Sequence, residues 1–477
     1  MTSWELFGLV LWKVLYIGVT LFTIVMILLE NRNPVKTIAW VLFIAFLPIV
    51  GILFYFFFGR NTRKTRLISR KMQSRLRKRP MMEFQAQSAV SLDAATKEVA
   101  SFFGAATGAL VFDGNEVEPL TDGTQFLQAL LREIYRAERY IHVQYYIFED
   151  DPVGRVVRDM LIDKAKQGVE VKVLYDDVGS WHTHRPFFRA MERHGIHVCS
   201  FLEVVFPFLT GRVNYRNHRK LTVIDGKVGF VGGSNLALRY LRSTPRIGGI
   251  WRDTNILIRG KGVYGLQTTF LLDWYFVTRE MLTSARYFPV MGNLGGSIVQ
   301  VVTSDPVSPW RGIMQGLTMA IQRARRYFYI QTPYFLPTEP ILVALQTAAL
   351  AGVDVRLMLP AKTDARLVGL ATASYLRDVL QAGVKVFFYN RGFLHSKLMV
   401  SDDIFSTVGS TNMDFRSFEH NFEVNAFLYD ADTAVRLRDI FLNDQQGCSP
   451  VYLKSWEQRP RLRRFGESVM RLFSPLL

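Results

Sequence analysis

The feature that most limits how this chain can fold is a repeat. Asn217-His218-Arg219-Lys220-Leu221-Thr222-Val223-Ile224-Asp225 is followed by Gly232-Gly233-Ser234-Asn235, and His395-Ser396-Lys397-Leu398-Met399-Val400-Ser401-Asp402 is followed by Gly409-Ser410-Thr411-Asn412. Each copy reads His-x-Lys, four residues, Asp, six residues, then a small-residue run ending in Asn. Matched positions lie 177 residues apart (395 − 218, 402 − 225, 412 − 235). One His-x-Lys carries no information, but two at a single long spacing indicate an internal duplication.

The repeat extends beyond the motif. Residues 124–138 carry apolar side chains at helical spacing (Phe126, Leu127, Leu130, Leu131, Ile134) and lead into an expected strand over 140–148. Residues 312–325 and 327–335 are the matching helix and strand, with Gln144 and Gln331 at the same place in each strand. Gly168-Val169-Glu170-Val171 pairs with Gly352-Val353-Asp354-Val355, and Gly195-Ile196-His197-Val198 with Gly383-Val384-Lys385-Val386. Helices alternating with short β-branched strands predict an α/β fold, two similar domains around a mainly parallel sheet.

The first 59 residues read differently. Residues 6–29 are apolar except for Lys13, and residues 37–58 are apolar without a charge. Each is long enough to cross a hydrocarbon core of about 30 Å as a helix, the second bent by Pro48 and Gly51. Glu5 stands where a cleaved leader would be basic, so a signal peptide fits poorly. The loop 30–36 holds two basic residues, and 60–79 holds ten (Arg60, Arg63, Lys64, Arg66, Arg70, Lys71, Arg75, Arg77, Lys78, Arg79) and no acid. Positive charge stays on the cytoplasmic side, which predicts a transmembrane helical hairpin with both ends and the large remainder cytoplasmic. The expected organisation is two transmembrane helices over 1–59, a basic linker and entry helix over 60–108, one α/β domain over 109–295, a second over 296–450, and a basic amphipathic tail over 451–477.

The net charge of +17 points to an anionic partner: nucleic acid, anionic lipid or a phosphate substrate. Ten of those charges belong to the tract beside the apolar spans, where they also suit anionic headgroups. The catalytic halves lack the long basic and aromatic tract that follows single strands, which argues against nucleic acid. Cys199 and Cys448 are the only cysteines, too few for a disulfide framework or a thiolate metal site. Cys199, in an apolar run, is expected in the core.

Within a strand, residues two apart share a face, so His218 projects with Lys220 and His395 with Lys397. If the halves pack about a pseudo-twofold axis, two histidines and two lysines meet in one cleft. A phosphodiester there has its oxygens near two ammonium groups, which favour the charge of the transition state. One neutral histidine attacks phosphorus, and the other, protonated, donates to the departing alkoxide, so the pair holds one proton between them. Asp225 and Asp402 are expected to orient the imidazoles. Gly232, Gly233 and Gly409 leave room for close approach, and Ser234, Asn235, Thr411 and Asn412 offer donors to phosphate. No metal or cofactor is required, because the lysines supply the charge. Spacing leaves open which histidine attacks.

These residues resemble the phospholipase D superfamily, and within it the bacterial cardiolipin synthases. The resemblance covers essentially the whole chain. It is most specific in Tyr215-Arg216-Asn217-His218-Arg219-Lys220, Val231-Gly232-Gly233-Ser234-Asn235, Gln331-Thr332-Pro333-Tyr334-Phe335, and Gly409-Ser410-Thr411-Asn412-Met413-Asp414-Phe415-Arg416-Ser417 leading into Asn421-Phe422-Glu423. It implies a phosphatidyl-histidine intermediate and transfer of a phosphatidyl group from one phosphatidylglycerol to another, releasing glycerol, in the bacterial inner membrane. By analogy His218 is the nucleophile and His395 the acid, with Glu423 and Asp253 as supporting acids. Thr303-Ser304-Asp305-Pro306-Val307 departs from the Ser-Gly-Pro-Asp usual in such relatives. The rivals are a hydrolase using water as acceptor, a nuclease and a non-catalytic scaffold. Two intact motifs speak against the last. The oligomeric state stays open, a homodimer included.

Three further features are ambiguous. The apolar run 201–209 is either a buried strand and loop or a lip for acyl chains. Asp176, Asp177, His182 and His184 suit a strand end and helix entry better than a metal cluster. Arg459, Arg461, Arg463, Arg464 and Arg471 alternate with Leu462, Phe465, Val469, Phe473 and Leu476, which suits either a membrane surface or the catalytic body.

Overall fold

The computed structural model describes residues 3–29, 34–55, 59, 90–204, 214–242 and 249–477. The basic tract 60–79, most of the 30–36 loop, and 205–209 of the apolar run therefore lie outside the described residues. The chain divides into two compact units, residues 1–66 with 204–214, and residues 67–203 with 215–477.

In the first unit, Ser3–Leu29 is one helix, and its 24-residue stretch Leu6–Leu29 is the one helix among the described residues long and apolar enough to cross a membrane. The second apolar stretch is not one span. It forms helices Pro34–Phe46 and Pro48–Phe54, broken at Leu47, whose φ of −133° and ψ of 67° leave the helical region just before a proline. The break is a reversal. Trp40 packs on Tyr55 at 5.4 Å and Phe43 on Phe54 at 6.1 Å. A Cβ on Gly51 would come within 2.8 Å of the Ile44 Cα, so only glycine permits this approach.

The second unit is a sheet flanked by helices. The first half contributes β1 (Val111–Asp122), β2 (Tyr140–Tyr145), β3 (Glu170–Asp176), β4 (His197–Phe201), β5 (Leu221–Ile224), β6 (Val228–Gly232) and β7 (Arg252–Arg259). The second half contributes β8 (Ser297–Ser304), β9 (Tyr327–Gln331), β10 (Phe335–Leu336), β11 (Asp354–Pro360), β12 (Lys385–Tyr389), β13 (Leu398–Ser401), β14 (Phe405–Gly409), β15 (Met413–Asp414), β16 (Glu423–Leu428) and β17 (Cys448–Val451). Fifteen strands form one sheet in the order β17-β12-β11-β9-β13-β14-β16-β8-β1-β7-β6-β5-β2-β3-β4. Read outward from the β8–β1 seam, both halves follow the same order, with one extra strand, β17, at one edge.

The sheet is mainly antiparallel, against expectation. Only β2–β3, β3–β4, β9–β11 and β11–β12 pair in parallel. Helical crossovers impose that direction, as the sequence pattern suggests, but tight hairpins join β5 to β6 and β13 to β14. At their turns Asp225, Asp402 and Asp403 adopt positive φ (52°, 55° and 61°), as does Gly226 (66°). The seam strand β1 opens the first domain without a strand signal in the sequence, because Val111–Asp122 lacks a β-branched run.

Side chains of both halves share the central core. Leu221, Val223, Val231 and Ile256 join Leu398, Val400, Val408 and Val424 there, beneath the helices Val263–Thr278 and Ala431–Gln445. Each half has its own outer core under its other helices. Strands β6 and β7 also approach β14 and β16 directly, so the sheet curls until the halves meet. Cys199 and Cys448 are unpaired and half-buried, so Cys199 lines the core edge rather than its centre.

The tail forms helices Leu453–Glu457 and Arg461–Leu472. The second packs on the helix Arg366–Gln381, with the Arg471 guanidinium over the Tyr375 ring at 4.2 Å and 2.8 Å from Asp378.

Candidate active site

The strands β5 and β13 begin at Leu221 and Leu398, so both His-x-Lys pairs precede their strands rather than lying within them. Each extended approach is tied to the opposite half. The His218 amide donates to the Phe422 carbonyl (2.9 Å) and the Phe422 amide to the Arg216 carbonyl (2.9 Å). The His395 amide donates to the Arg252 carbonyl (2.8 Å) and the Arg252 amide to the Phe393 carbonyl (2.9 Å). Neither histidine has its backbone position fixed by its own repeat alone.

The imidazoles follow the same exchange. His218 Nδ1 lies 3.1 Å from both carboxylate oxygens of Glu423, on β16 of the second half. His395 Nδ1 lies 2.7 Å from Asp253 Oδ2, on β7 of the first half. An Nδ1–H donating to a carboxylate leaves the Nε2 lone pair free to attack phosphorus or take a proton. Glu423 also accepts from Ser410 Oγ and from Asn421 Nδ2 (3.1 Å). Asp253 accepts from the Thr254 amide (2.8 Å), and Gly233 stands where Ser410 stands in the other half. A Cβ on Gly233 would fall 2.1 Å from Asp253 Oδ1. The shorter acid thus requires glycine beside it, whereas the longer one receives a serine hydroxyl.

Both lysines are buried, Lys220 at 1% exposure and Lys397 at 0%. Lys220 Nζ donates to the His218 carbonyl (2.6 Å) and Lys397 Nζ to the His395 carbonyl (2.6 Å). Lys397 Nζ also lies 3.0 and 3.1 Å from the two ring nitrogens of His395. Burial, partly opposed by Glu423 and helped by Lys220, lowers the His218 pKa to about 4. Burial and the Lys397 ammonium lower that of His395 to about 3 against the pull of Asp253. Burial lowers Lys397 to about 8 and takes Lys220 well below its ordinary value. Burial would raise Glu423, but His218 and Lys220 hold it below the usual range. Lys397 acts on His218, and Lys220 on His395, so the charges of the two motifs share one site. Burial, with the lysines beside them, disfavours a proton on either imidazole in the absence of substrate. A phosphodiester anion works in the opposite direction and favours a proton on one of them.

Asp225 and Asp402 do not orient imidazoles. The Asp225 carboxylate accepts from the amides of Glu138, Arg139 and Tyr140 (2.8, 2.8 and 2.9 Å), where the chain enters β2. Asp402 does the same for Arg325, Arg326 and Tyr327 (2.7, 2.9 and 2.9 Å). The Asp-Gly turn signature after Ile224 is the signal for that role.

The small-residue runs are largely engaged. Asn255 Oδ1 accepts from the Ser234 amide (3.1 Å) and its Nδ2 donates to Ser234 Oγ (2.8 Å). Asn425 Oδ1 accepts from Thr411 Oγ1 (2.7 Å) and the Thr411 amide (3.3 Å). Asn235 accepts from the Ile147 amide (3.0 Å) and donates to Tyr240 (2.5 Å). Asn412 is buried, and its Oδ1 has no hydrogen-bond partner among the described residues. Gln144 donates to Asp273 (2.5 Å) and Gln331 to Asp444 (2.8 Å) from within the core, so both brace helices behind the motifs.

Asp176 is engaged too. It accepts from the Asn217 amide (2.8 Å), the Val178 and Gly179 amides (3.0 and 2.9 Å) and Arg216 (3.4 Å). Burial raises its pKa to about 6 despite Arg216. His184 stands at the entry of the helix Arg185–Glu192. Among the described residues, no three potential ligands gather as a metal site.

Sequence reasoning missed the aromatic neighbours. Tyr146 meets the His218 ring at 5.1 Å, and Tyr240, Trp251 and Phe393 surround His395 at 5.5, 5.2 and 5.8 Å. It also missed Asn255 and Asn425. An available signal was the second repeat Asp253-Thr254-Asn255 and Glu423-Val424-Asn425, acid and amide two apart on a strand.

The family described as "Cardiolipin synthase, PLD-like domain" matches residues 130–258 and again 317–445, and "Phospholipase_D-nuclease N-terminal" matches 15–60. A cardiolipin synthase of Geobacillus kaustophilus is 40% identical over 99% of this chain and 95% of its own. The major cardiolipin synthase ClsA of Bacillus subtilis is 39% identical over 96% of this chain and 97% of its own. The crystal structure of a phosphatidylserine synthase from Haemophilus influenzae shares the fold, with a TM-score of 0.61 at 14% identity over 80% of this chain and 100% of that one.

Proposed function

The chain belongs to the cardiolipin synthase family of phospholipase D-like proteins, and from that premise we propose that it joins two phosphatidylglycerol molecules through a phosphatidyl-histidine intermediate. The observation that carries this reading is the crossed arrangement, in which each histidine is oriented by the acid of the other half.

His218 Nε2 attacks the donor phosphorus while Glu423 takes up the positive charge through Nδ1–H. His395 gives its proton to the departing glycerol oxygen. The P–O bond breaks as the P–N bond forms. In the second step His395, now neutral, takes a proton from a hydroxyl of the second phosphatidylglycerol, whose oxygen displaces His218 from phosphorus. Lys220 and Lys397 face the phosphoryl oxygens throughout. The assignment of His218 as nucleophile and His395 as acid rests on the resemblance to the superfamily. The palindromic strand order supports a pseudo-twofold relation between the halves, with domain limits at 109–295 and 296–450.

One apolar helix of crossing length among the described residues supports membrane attachment. We place the catalytic halves on the cytoplasmic face of the inner membrane, because residues 60–79 carry ten basic side chains and no acid. A cysteine placed in the 31–33 loop tests this. Labelling from outside by an impermeant thiol reagent would require two full spans, against the reversal at Leu47. Labelling only after lysis puts that loop on the cytoplasmic side and makes Pro34–Phe54 a re-entrant pair.

Activity is tested by incubating purified protein with phosphatidylglycerol and reading products by lipid mass spectrometry, beside His218→Ala and His395→Ala. Cardiolipin and glycerol are expected from wild type alone. Phosphatidic acid without cardiolipin would replace the transferase reading by a hydrolase. Activity in both variants would overturn the site.

A further inference from the structure

The tail helix Arg461–Leu472 has two opposed faces. Glu467, Met470, Arg471, Ser474 and Leu477 lie on the side packed against the catalytic body. Glu467 is 2% exposed and is held by Arg459 (2.7 Å) and Arg463 (3.3 Å). On the other side Leu462, Phe465, Val469, Leu472, Phe473 and Leu476 recur at helical spacing and all face outward, Leu462 at 83%, Phe465 at 68% and Leu472 at 78% exposure. Six large apolar side chains therefore form one stripe about 20 Å long on an anchored helix. Such a stripe in water is costly, and a soluble domain rarely keeps one.

The charges around the stripe identify its partner. Residues 451–477 hold six basic residues and two acids, a net of +4. Both acids are already engaged, Glu467 by Arg459 and Arg463, and Glu457 by Arg377. Arg461 borders the stripe by helical position, Arg464 lies further round the same side with its Nε buried, and neither has a carboxylate partner among the described residues. An apolar stripe bordered by arginine side chains fits an anionic lipid surface, with the rings and branched chains below the headgroups and the guanidinium groups among the phosphates. The chain carries its own apolar helix of crossing length, so a bilayer is within reach.

We propose that the outward face of Arg461–Leu472, continued through Leu476, lies in the interface of an anionic bilayer and docks the second half of the enzyme on it. Unlike a free amphipathic helix, this one is fixed to the body through its opposite face, so docking also sets the orientation of the second half.

The test uses the full-length protein in nanodiscs, with Cys199→Ser and Cys448→Ser as background. A polarity-sensitive fluorophore is placed on Phe465→Cys, on Leu472→Cys, or on Lys166→Cys as a water-exposed control. In nanodiscs containing phosphatidylglycerol, the 465 and 472 reporters shift to the blue and are quenched by spin-labelled lipid, and the 166 reporter is not. Arg461→Glu with Arg464→Glu, or nanodiscs of phosphatidylcholine alone, removes most of that quenching. The proposal is overturned if the 465 and 472 reporters remain in water on anionic nanodiscs. It is equally overturned if they are shielded only through a concentration-dependent 465–465 crosslink, which would make the stripe a contact between copies. The readout needs no turnover, so it stands apart from the product assay.

Discussion

The two halves share a strand order and a His-x-Lys pair, yet surround their histidines differently. Around His218 stand Glu423, the Ser410 hydroxyl, the Asn421 amide and the Tyr146 ring. Around His395 stand Asp253, a glycine at the serine position, and three aromatic rings. Behind His218 the chain is held by the buried Arg216–Asp176 pair. At the matching positions the second half has Phe393 and Pro360, both apolar. Duplication preserved the backbone and both lysines while the surroundings diverged, which suits the proposed division into one attacking and one proton-donating imidazole.

The largest expected effect separates the histidines by leaving group. His218→Ala loses transfer from every donor. His395→Ala loses about 10³-fold in transfer, but with a donor whose leaving group is a nitrophenolate, which departs without a proton, it keeps a near-normal first-step burst of nitrophenolate. Rescue of His218→Ala instead would reverse the roles, and equal loss with both donors in both variants would erase the distinction.

Next come the crossed acids. Glu423→Gln and Asp253→Asn each keep size but lose the charge that fixes the Nδ1–H tautomer, and each should lower kcat about 10²-fold or more with KM little changed. If the halves do divide the work, the activated donor rescues Asp253→Asn and not Glu423→Gln. A change confined to KM would make both acids structural.

The ion pair behind His218 gives a smaller effect, read in stability. Asp176→Ala leaves Arg216 buried without its carboxylate and should cost about 3 kcal/mol in chemical denaturation. Adding Arg216→Phe, which copies the second half, should recover most of it. Failure of the double variant to recover would mean that the halves differ there by more than charge.

The smallest effect is a proton count. Lys397 loses its proton near pH 8, and Lys220 is depressed as well. Below its pKa each lysine is charged; above it, neutral. At pH 8 an unreactive phosphodiester analogue restores charge on binding, so binding takes up a fraction of a proton, to about one, by calorimetry in buffers of different ionisation enthalpy. Lys397→Met should reduce the uptake. Proton release would contradict the electrostatics described.

Much of this was legible in the sequence. The 177-residue spacing exposed the duplication, the helical and strand periods placed most elements, and His218, Lys220, His395 and Lys397 share a site by mutual charge. What was not legible has a common cause. The acid-to-histidine exchange, the seam through β1, and the antiparallel majority all depend on which strand lies beside which, and local pattern does not encode that. The carboxylate of Asp225 or Asp402 is near its histidine in sequence but not in space. One strand of pleat carries it to the far end, onto backbone amides. The second apolar stretch kept its composition but not its path, since Pro48 reversed it rather than bending it.

The most direct test maps the covalent intermediate. Protein is mixed with short-chain phosphatidylglycerol, quenched within milliseconds, digested, and its peptides are read by mass spectrometry. A phosphatidyl adduct on the peptide carrying His218, present in wild type and absent from His218→Ala, is the predicted result. An adduct on the peptide carrying His395, or full turnover with no adduct on either, would contradict a site in which the first half attacks and the second supplies the proton.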